Sequence, residues 1–246
     1  MIYILVFLIL TFNYFLGKLF DKNRLPIVIS IEGNIGSGKT KLIEELKNNL
    51  SQNKNIIFLK EPSKYWNNLK DKENNNILYK FYNDKKRWSY TFQNFAYLTR
   101  AKLLLNSINE NKYNYFQNPK IIITERSIET DKNVFTKMLY EEKHITDLEY
   151  KLYNEWFDYL YPEIKVKNIV YLRTLPETAY ERMSNNSKNE DYLIPKDYLQ
   201  MIHKFHDDWL TKNNENYNIC YLNGEKNINF DLNHVNKIKI FIESLS

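Results

Sequence analysis

Residues 26–46 read PIVISIEGNIGSGKTKLIEEL, and three successive parts of that stretch decide the fold. Ile27–Ile31 is a short apolar run rich in β-branched residues, the composition of a strand buried on both faces. Gly33-Asn34-Ile35-Gly36-Ser37-Gly38-Lys39-Thr40 then satisfies G-x-x-x-x-G-K-[ST], and Lys41–Leu50 has the composition of a helix. Strand, glycine loop and helix in that order make a phosphate cradle: consecutive backbone N–H groups converge on phosphate oxygens, and the helix adds its positive end. Lys39 would reach the β- and γ-phosphates of a nucleoside triphosphate, and the Thr40 hydroxyl would help hold Mg²⁺. The chain has only 5 glycines, and Gly33, Gly36 and Gly38 are all in this loop.

Outward from the loop the same alternation repeats. Further strands are expected at Ile56–Lys60, Lys120–Thr124, Ile169–Arg173 and Ile219–Leu222, and helices at Arg87–Asn109, Asp147–Tyr161 and Pro195–Lys212. Alternating strands and helices predict an α/β fold: a P-loop NTPase with a parallel five-stranded sheet flanked by helices. In such sheets ligands bind beyond the carboxyl ends of the strands. Asn67–Asn76 and Asn185–Asp191 are polar loops. Composition agrees with one globular domain: 246 residues, 43% hydrophobic and 15% aromatic, can bury a full core. A single cysteine, Cys220, excludes an intramolecular disulfide framework and a multi-cysteine zinc site. The 35 Lys and Arg are interleaved with 30 Asp and Glu, so no basic tract demands a nucleic-acid partner.

Residues 1–25 are set apart. Ile2–Leu16 is apolar but for Thr11 and Asn13, and extended to Phe20 it nearly reaches membrane-spanning length. Two readings stay open. Either residues 2–20 tether a cytoplasmic protein to a membrane, with Lys18, Lys22 and Arg24 on the cytoplasmic flank, or the segment is an apolar extension.

The acceptor side is carried by motifs at strand ends. Glu61-Pro62 follows the second strand, with Trp66 shortly after; Glu125-Arg126-Ser127 follows the third. Between them a long helix opens with Arg87-Trp88 and carries Thr91-Phe92-Gln93. Together with EGNIGSGKT, and with the later YLRTLPETAYERM and IPKDYL…HKFHDDWL, these resemble the deoxyribonucleoside kinase family from about Ile29 to Leu210. The resemblance implies a kinase domain over 26–246 with a short lid, and ATP- and Mg²⁺-dependent transfer of the γ-phosphoryl group to a deoxynucleoside 5′-hydroxyl. Glu61 matches the family's catalytic base, Arg126 the arginine that orients base and phosphate, and Glu125 a residue linked to the metal. The resemblance assigns base reading to Gln93, whose amide offers one donor and one acceptor to a Watson–Crick edge. Gln93, Ala96 and Arg100, at i, i+3 and i+7, share one helix face. The resemblance pairs Arg100 with Asp131 beside the base, a combination that favours deoxycytidine and purine deoxynucleosides over thymidine. Tyr82 and Asp191 (or Glu190) match the partners of the sugar 3′-oxygen, and Trp66, Phe81, Phe92 and Phe135 would wall the base pocket. A homodimer built from helices is also implied.

The lid departs from the family. Arg182 remains, but Asn186 and Lys188 stand where two arginines are usual, and a lysine offers a point charge without a bidentate fork. His203 and His206 lack a third ligand nearby and read as structural. Two further readings remain: a nucleoside monophosphate kinase of the thymidylate kinase type, and a membrane-tethered nucleotide-binding protein with weakened catalysis.

Overall fold

Strands β1 (Ile27–Glu32), β2 (Ile56–Leu59), β3 (Ile121–Glu125), β4 (Asn168–Arg173) and β5 (Asn218–Asn223) pair in the order β2-β3-β1-β4-β5, every pairing parallel. This is a computed structural model, and it describes residues 26–112, 121–185, 192–212, 215–225 and 232–245. The helices are α1 (Lys39–Asn49), α2 (Ser63–Asn68), α3 (Ile77–Asn83), α4 (Lys85–Lys112), α5, α6 (Asp147–Ile164), α7 (Pro176–Asn185), α8 and α9 (Leu232–Ser244). Of these, α5 runs as Ile128–Thr130, a π-helical stretch Asp131–Thr136, and Lys137–Glu141. Likewise α8 is Lys196–Asp207, continued by a π-helical stretch Asp208–Lys212.

The two-residue period of β1 sorts its side chains. Ile29 and Ile31 pack with Leu42, Ile43 and Leu46 of α1 and with Val235, Ile238 and Ile242 of α9. Val28, on the other face, packs with Tyr97, Ala101 and Leu104 of α4 and Tyr153 and Phe157 of α6. Both faces are dry, which is why the strands read as unbroken apolar runs. Helix α9 was not anticipated from sequence. Its apolar positions 235, 238 and 242 are spaced for one helix face, but intervening Asn and Lys dilute the signal.

Register places the chemistry. Ile31 is level with Glu125, and Leu59 is level with Thr124. The residues that follow, Gly33, Glu61 and Arg126, therefore leave the sheet along one edge.

The expectation of a membrane tether is corrected here. Among the described residues no helix is long and apolar enough to cross a membrane. Residues 2–20, on which that expectation rested, lie outside the described residues, and the tethered reading is dropped.

One buried acid gives the fold a pH dependence. Glu129, in the first turn of α5, is 1% exposed; its Oε1 accepts from the Val166 amide at 2.7 Å, and its Oε2 has no hydrogen-bond partner among the described residues. Burial pushes its carboxyl from 4.5 up to about 8. The folded value lies above the unfolded one, so its contribution is whole below about pH 4.5 and is lost as pH rises towards 8. Glu129→Gln should therefore gain stability over the wild type between pH 5 and pH 8, by roughly 1 kcal/mol per pH unit. Urea unfolding at both pH values checks this, and an unchanged difference would refute it.

Candidate active site

The loop after β1 bends at three left-handed glycines, Gly33 (φ 149°), Gly36 (φ 75°) and Gly38 (φ 99°). At Gly33 the loop also needs room: a Cβ there would sit 2.6 Å from the Leu172 carbonyl oxygen. Asn34 fixes the loop from within, its Nδ2 donating to Leu199 O at 2.9 Å and its Oδ1 accepting from Ile35 N at 2.8 Å. Ser37 is fully buried beneath it. Lys39 Nζ donates to the carbonyls of Gly33 at 3.1 Å and Asn34 at 2.6 Å. Burial, helped by nearby Arg126, lowers the Lys39 ammonium to about 7. Thr40 Oγ1 donates to Glu125 Oε1 at 2.6 Å.

A cavity of about 320 Å³ opens from this loop. Ile35, Gly36, Lys39 and Thr40 line one end, and Trp66, Phe81, Tyr82, Phe92, Gln93, Ala96, Arg100, Asp131 and Phe135 line the rest, with Glu61, Glu125 and Arg126 between. The rings brace one another: Trp66 meets Phe92 edge-on at 5.5 Å, and Phe81 lies 4.9 Å from Phe92. Trp66 Nε1 is spent on Thr99 Oγ1 at 2.9 Å, so its indole offers the cavity an apolar surface. Gln93 is 2% exposed and lines the cavity, and no hydrogen bond to its amide occurs among the described residues.

Four charges occupy the centre. Glu61 Oε1 accepts from Arg126 Nη1 at 2.8 Å and from Arg100 Nη2 at 3.1 Å. Arg100 also grips Asp131, Nε to Oδ2 at 2.9 Å and Nη2 to Oδ1 at 3.3 Å. Arg126 rests on the Phe135 ring, 5.3 Å from its centroid, and its Nη2 reaches Gly33 O at 3.4 Å. Its backbone is left-handed, φ 60°, a conformation that costs a non-glycine residue roughly 1–2 kcal/mol. Strain of that kind persists where surrounding contacts over-determine the geometry.

A triphosphate cradle, a carboxylate held by two arginines and an aromatic slot share one cleft. The family model for deoxynucleoside kinase matches residues 29–245. The chain belongs to the deoxynucleoside kinase family. It is 39% identical to a probable deoxycytidine kinase of Fowlpox virus (strain NVSL), over 76% of this chain and 73% of that one. It is 31% identical to the mitochondrial deoxyguanosine kinase of Xenopus laevis, over 88% and 90%. With the human mitochondrial thymidine kinase 2 it shares 34% over 75% and 64%. It is a deoxynucleoside kinase, an enzyme that phosphorylates nucleosides.

The electrostatics of the kinase site follow from burial and pairing. Burial alone would raise the Glu61 carboxyl, but Arg126 and Arg100 together hold it at about 2. Asp131 is lifted by burial to about 6, with Arg100 pulling the other way, so it is ionised at neutral pH. Thr40 and Glu125 would offer Mg²⁺ a hydroxyl and a carboxylate, oxygen donors of the kind that ion takes alongside phosphate oxygens, so the residues present fit it. Among the described residues no group of three or more His, Cys, Asp or Glu could hold a metal by itself.

Not every expected residue lines the cavity. Arg182 lies between the glycine loop and the end of β5, Nη1 donating to Gly224 O at 2.7 Å and to Ser37 O, within the loop, at 3.4 Å. Asn186, Lys188, Glu190 and Asp191 lie outside the described residues. His206 is buried and neutral, its Nδ1 2.8 Å from Ile202 O, with burial lowering it to about 3. His203 contacts Asp207 at 3.3 Å. Cavity residues given no role from sequence are Ser63, Asn67, Leu78, Ile194 and Tyr198. Ser63 and Asn67, at i and i+4 of α2, share a face with Trp66, a spacing visible in sequence once that helix is known.

Proposed function

We propose that this kinase transfers the γ-phosphoryl group of ATP directly to the 5′-hydroxyl of a deoxynucleoside, using Mg²⁺, from the single domain 26–246. The observation that carries this reading is Glu61 at the junction of cradle and slot, 2.8 Å from Arg126. Bound at Thr40 and Glu125, Mg²⁺ would neutralise phosphate charge. Lys39 would exchange its loop carbonyls for β- and γ-phosphate oxygens, leaving the cradle's N–H groups to orient the chain of phosphates. Glu61 would align the 5′-hydroxyl in line with the γ-phosphorus and take its proton as the new P–O bond forms and the β–γ bridge breaks. Arg126 would meet the charge spread over the transferring group. A negative carboxylate at the acceptor position suits a neutral hydroxyl better than a monophosphate, which argues against the thymidylate-kinase-like reading.

At the far end, Gln93 would pair with the base edge while the rigid Arg100–Asp131 pair narrows the slot beside it. That crowding supports deoxycytidine or purine deoxynucleosides over thymidine, whose methyl group needs the same space. A homodimer remains part of this proposal. Leu148, Leu152, Trp156 and Tyr159, at one face of α6, are 68%, 43%, 55% and 77% exposed and form an apolar row that a second copy would cover.

ADP release measured with each deoxynucleoside and with each monophosphate tests the reading, on protein whose mass in solution is measured alongside. Deoxycytidine or a purine deoxynucleoside should exceed thymidine by about 10-fold in kcat/KM, the scale of a methyl-sized misfit. Turnover of monophosphates alone would overturn the kinase reading. Active monomers would remove only the dimer.

A further inference from the structure

Glu32 is fully buried at the end of β1, where the chain would otherwise place an apolar residue. It is held by three hydroxyls. Oε1 accepts from Ser127 Oγ at 2.6 Å and from Ser30 Oγ, and Oε2 accepts from Thr130 Oγ1. Ser127 begins α5 with no side-chain cap bond among the described residues, and its hydroxyl donates to Glu32. Burying a carboxylate is costly unless it is fully satisfied, so a residue with no reach into the cavity needs a reason to be there.

The reason lies one residue away. Three consecutive residues of β1 and its loop each hold one group of the Arg126–Ser127 turn. Ile31 O accepts from Arg126 N at 3.1 Å, Glu32 takes the Ser127 hydroxyl, and Gly33 O accepts from Arg126 Nη2 at 3.4 Å. Thr124 Oγ1 closes the turn by donating to Arg126 O at 3.0 Å. Arg126 is the left-handed residue at its centre.

We propose that Glu32 is a positioning residue: it clamps Ser127 and Thr130 so that the strained turn holds the Arg126 guanidinium against Glu61. The inference rests on the kinase reading given above. Glu32 touches neither substrate; it acts through Arg126.

Two conservative variants test it. Glu32→Gln keeps the volume but replaces one of the two oxygens that accept the three hydroxyls with an amide donor, and Ser127→Ala removes a single clamp bond. Both should lower kcat by about 10-fold with KM for nucleoside within twofold, while thermal unfolding shows the protein folded. The decisive reading is the coupling with Arg126. In an Arg126→Ala background either variant should cost less than twofold more, because the group being positioned is gone. An equal loss with and without Arg126, or folded variants with wild-type kcat, would overturn the clamp and leave the kinase reading intact. A wild-type protein that turns over no deoxynucleoside would overturn both.

Discussion

Glu61→Gln should lower turnover by roughly 10² or more and leave KM for nucleoside nearly unchanged, since loss of a proton acceptor is felt in the transition state. The size of the effect follows from what the two arginines do to this carboxylate. Held at about 2, Glu61 is ionised at any pH at which the enzyme is assayed. A carboxylate of such low pKa is a weak base. In the proposed role it would suffice, because phosphoryl transfer passes through a loose transition state in which the nucleophile loses its proton late. Its main work would be alignment, which an amide performs poorly, since an amide nitrogen presents a donor where the hydroxyl's proton should go. The substitution also leaves Arg126 and Arg100 facing each other across an uncharged group. Breaking a buried pair costs about 3–5 kcal/mol, moderated here because Arg100 retains Asp131 at 2.9 Å. Thermal unfolding read beside the kinetics separates the two effects. Near-normal turnover in a folded Glu61→Gln enzyme would remove Glu61 from the base role.

Arg126→Lys should lower kcat by roughly 10³, about 4 kcal/mol of barrier, comparable to loss of an arginine that neutralises a transferring phosphoryl group. The charge is conserved in this substitution, so the loss isolates geometry. The guanidinium spans from Glu61 at 2.8 Å to Gly33 O at 3.4 Å while lying on the Phe135 ring, and its Nε is buried with no hydrogen-bond partner among the described residues. An ammonium has no planar fork to bridge those points or to stack on the ring. KM for ATP should change little, because in this proposal Lys39 and the loop amides would carry ground-state binding. Activity within tenfold of wild type would show that charge alone is required at this position.

Much of this arrangement was legible in the chain. Pro26–Leu46 announced strand, cradle and helix, because glycine placement and β-branched runs are local signals that tertiary context rarely overrides. Glu61 and Glu125-Arg126 could be placed at strand ends for the same reason. Gln93, Ala96 and Arg100 share a face by helical arithmetic, and all three line the cavity. Other features left no trace. Glu32 reads as an ordinary residue between a strand and a glycine, and nothing local says that Ser127 and Thr130, 95 and 98 positions away, will donate to it. Arg182 carried a phosphate role by resemblance, and nothing local says that its guanidinium will bridge the carbonyl of residue 224, after β5, and that of residue 37 in the glycine loop.

By itself, then, the sequence determined the α/β layering, the glycine loop and many of the residues that line the cavity, because each depends on neighbours within a turn or a strand. Tertiary structure alone decided the charge state of Glu61, the left-handed seat of Arg126 and the burial of Glu32. Those depend on which distant groups the parallel register brings within hydrogen-bonding distance in a medium too dry to leave them unpaired.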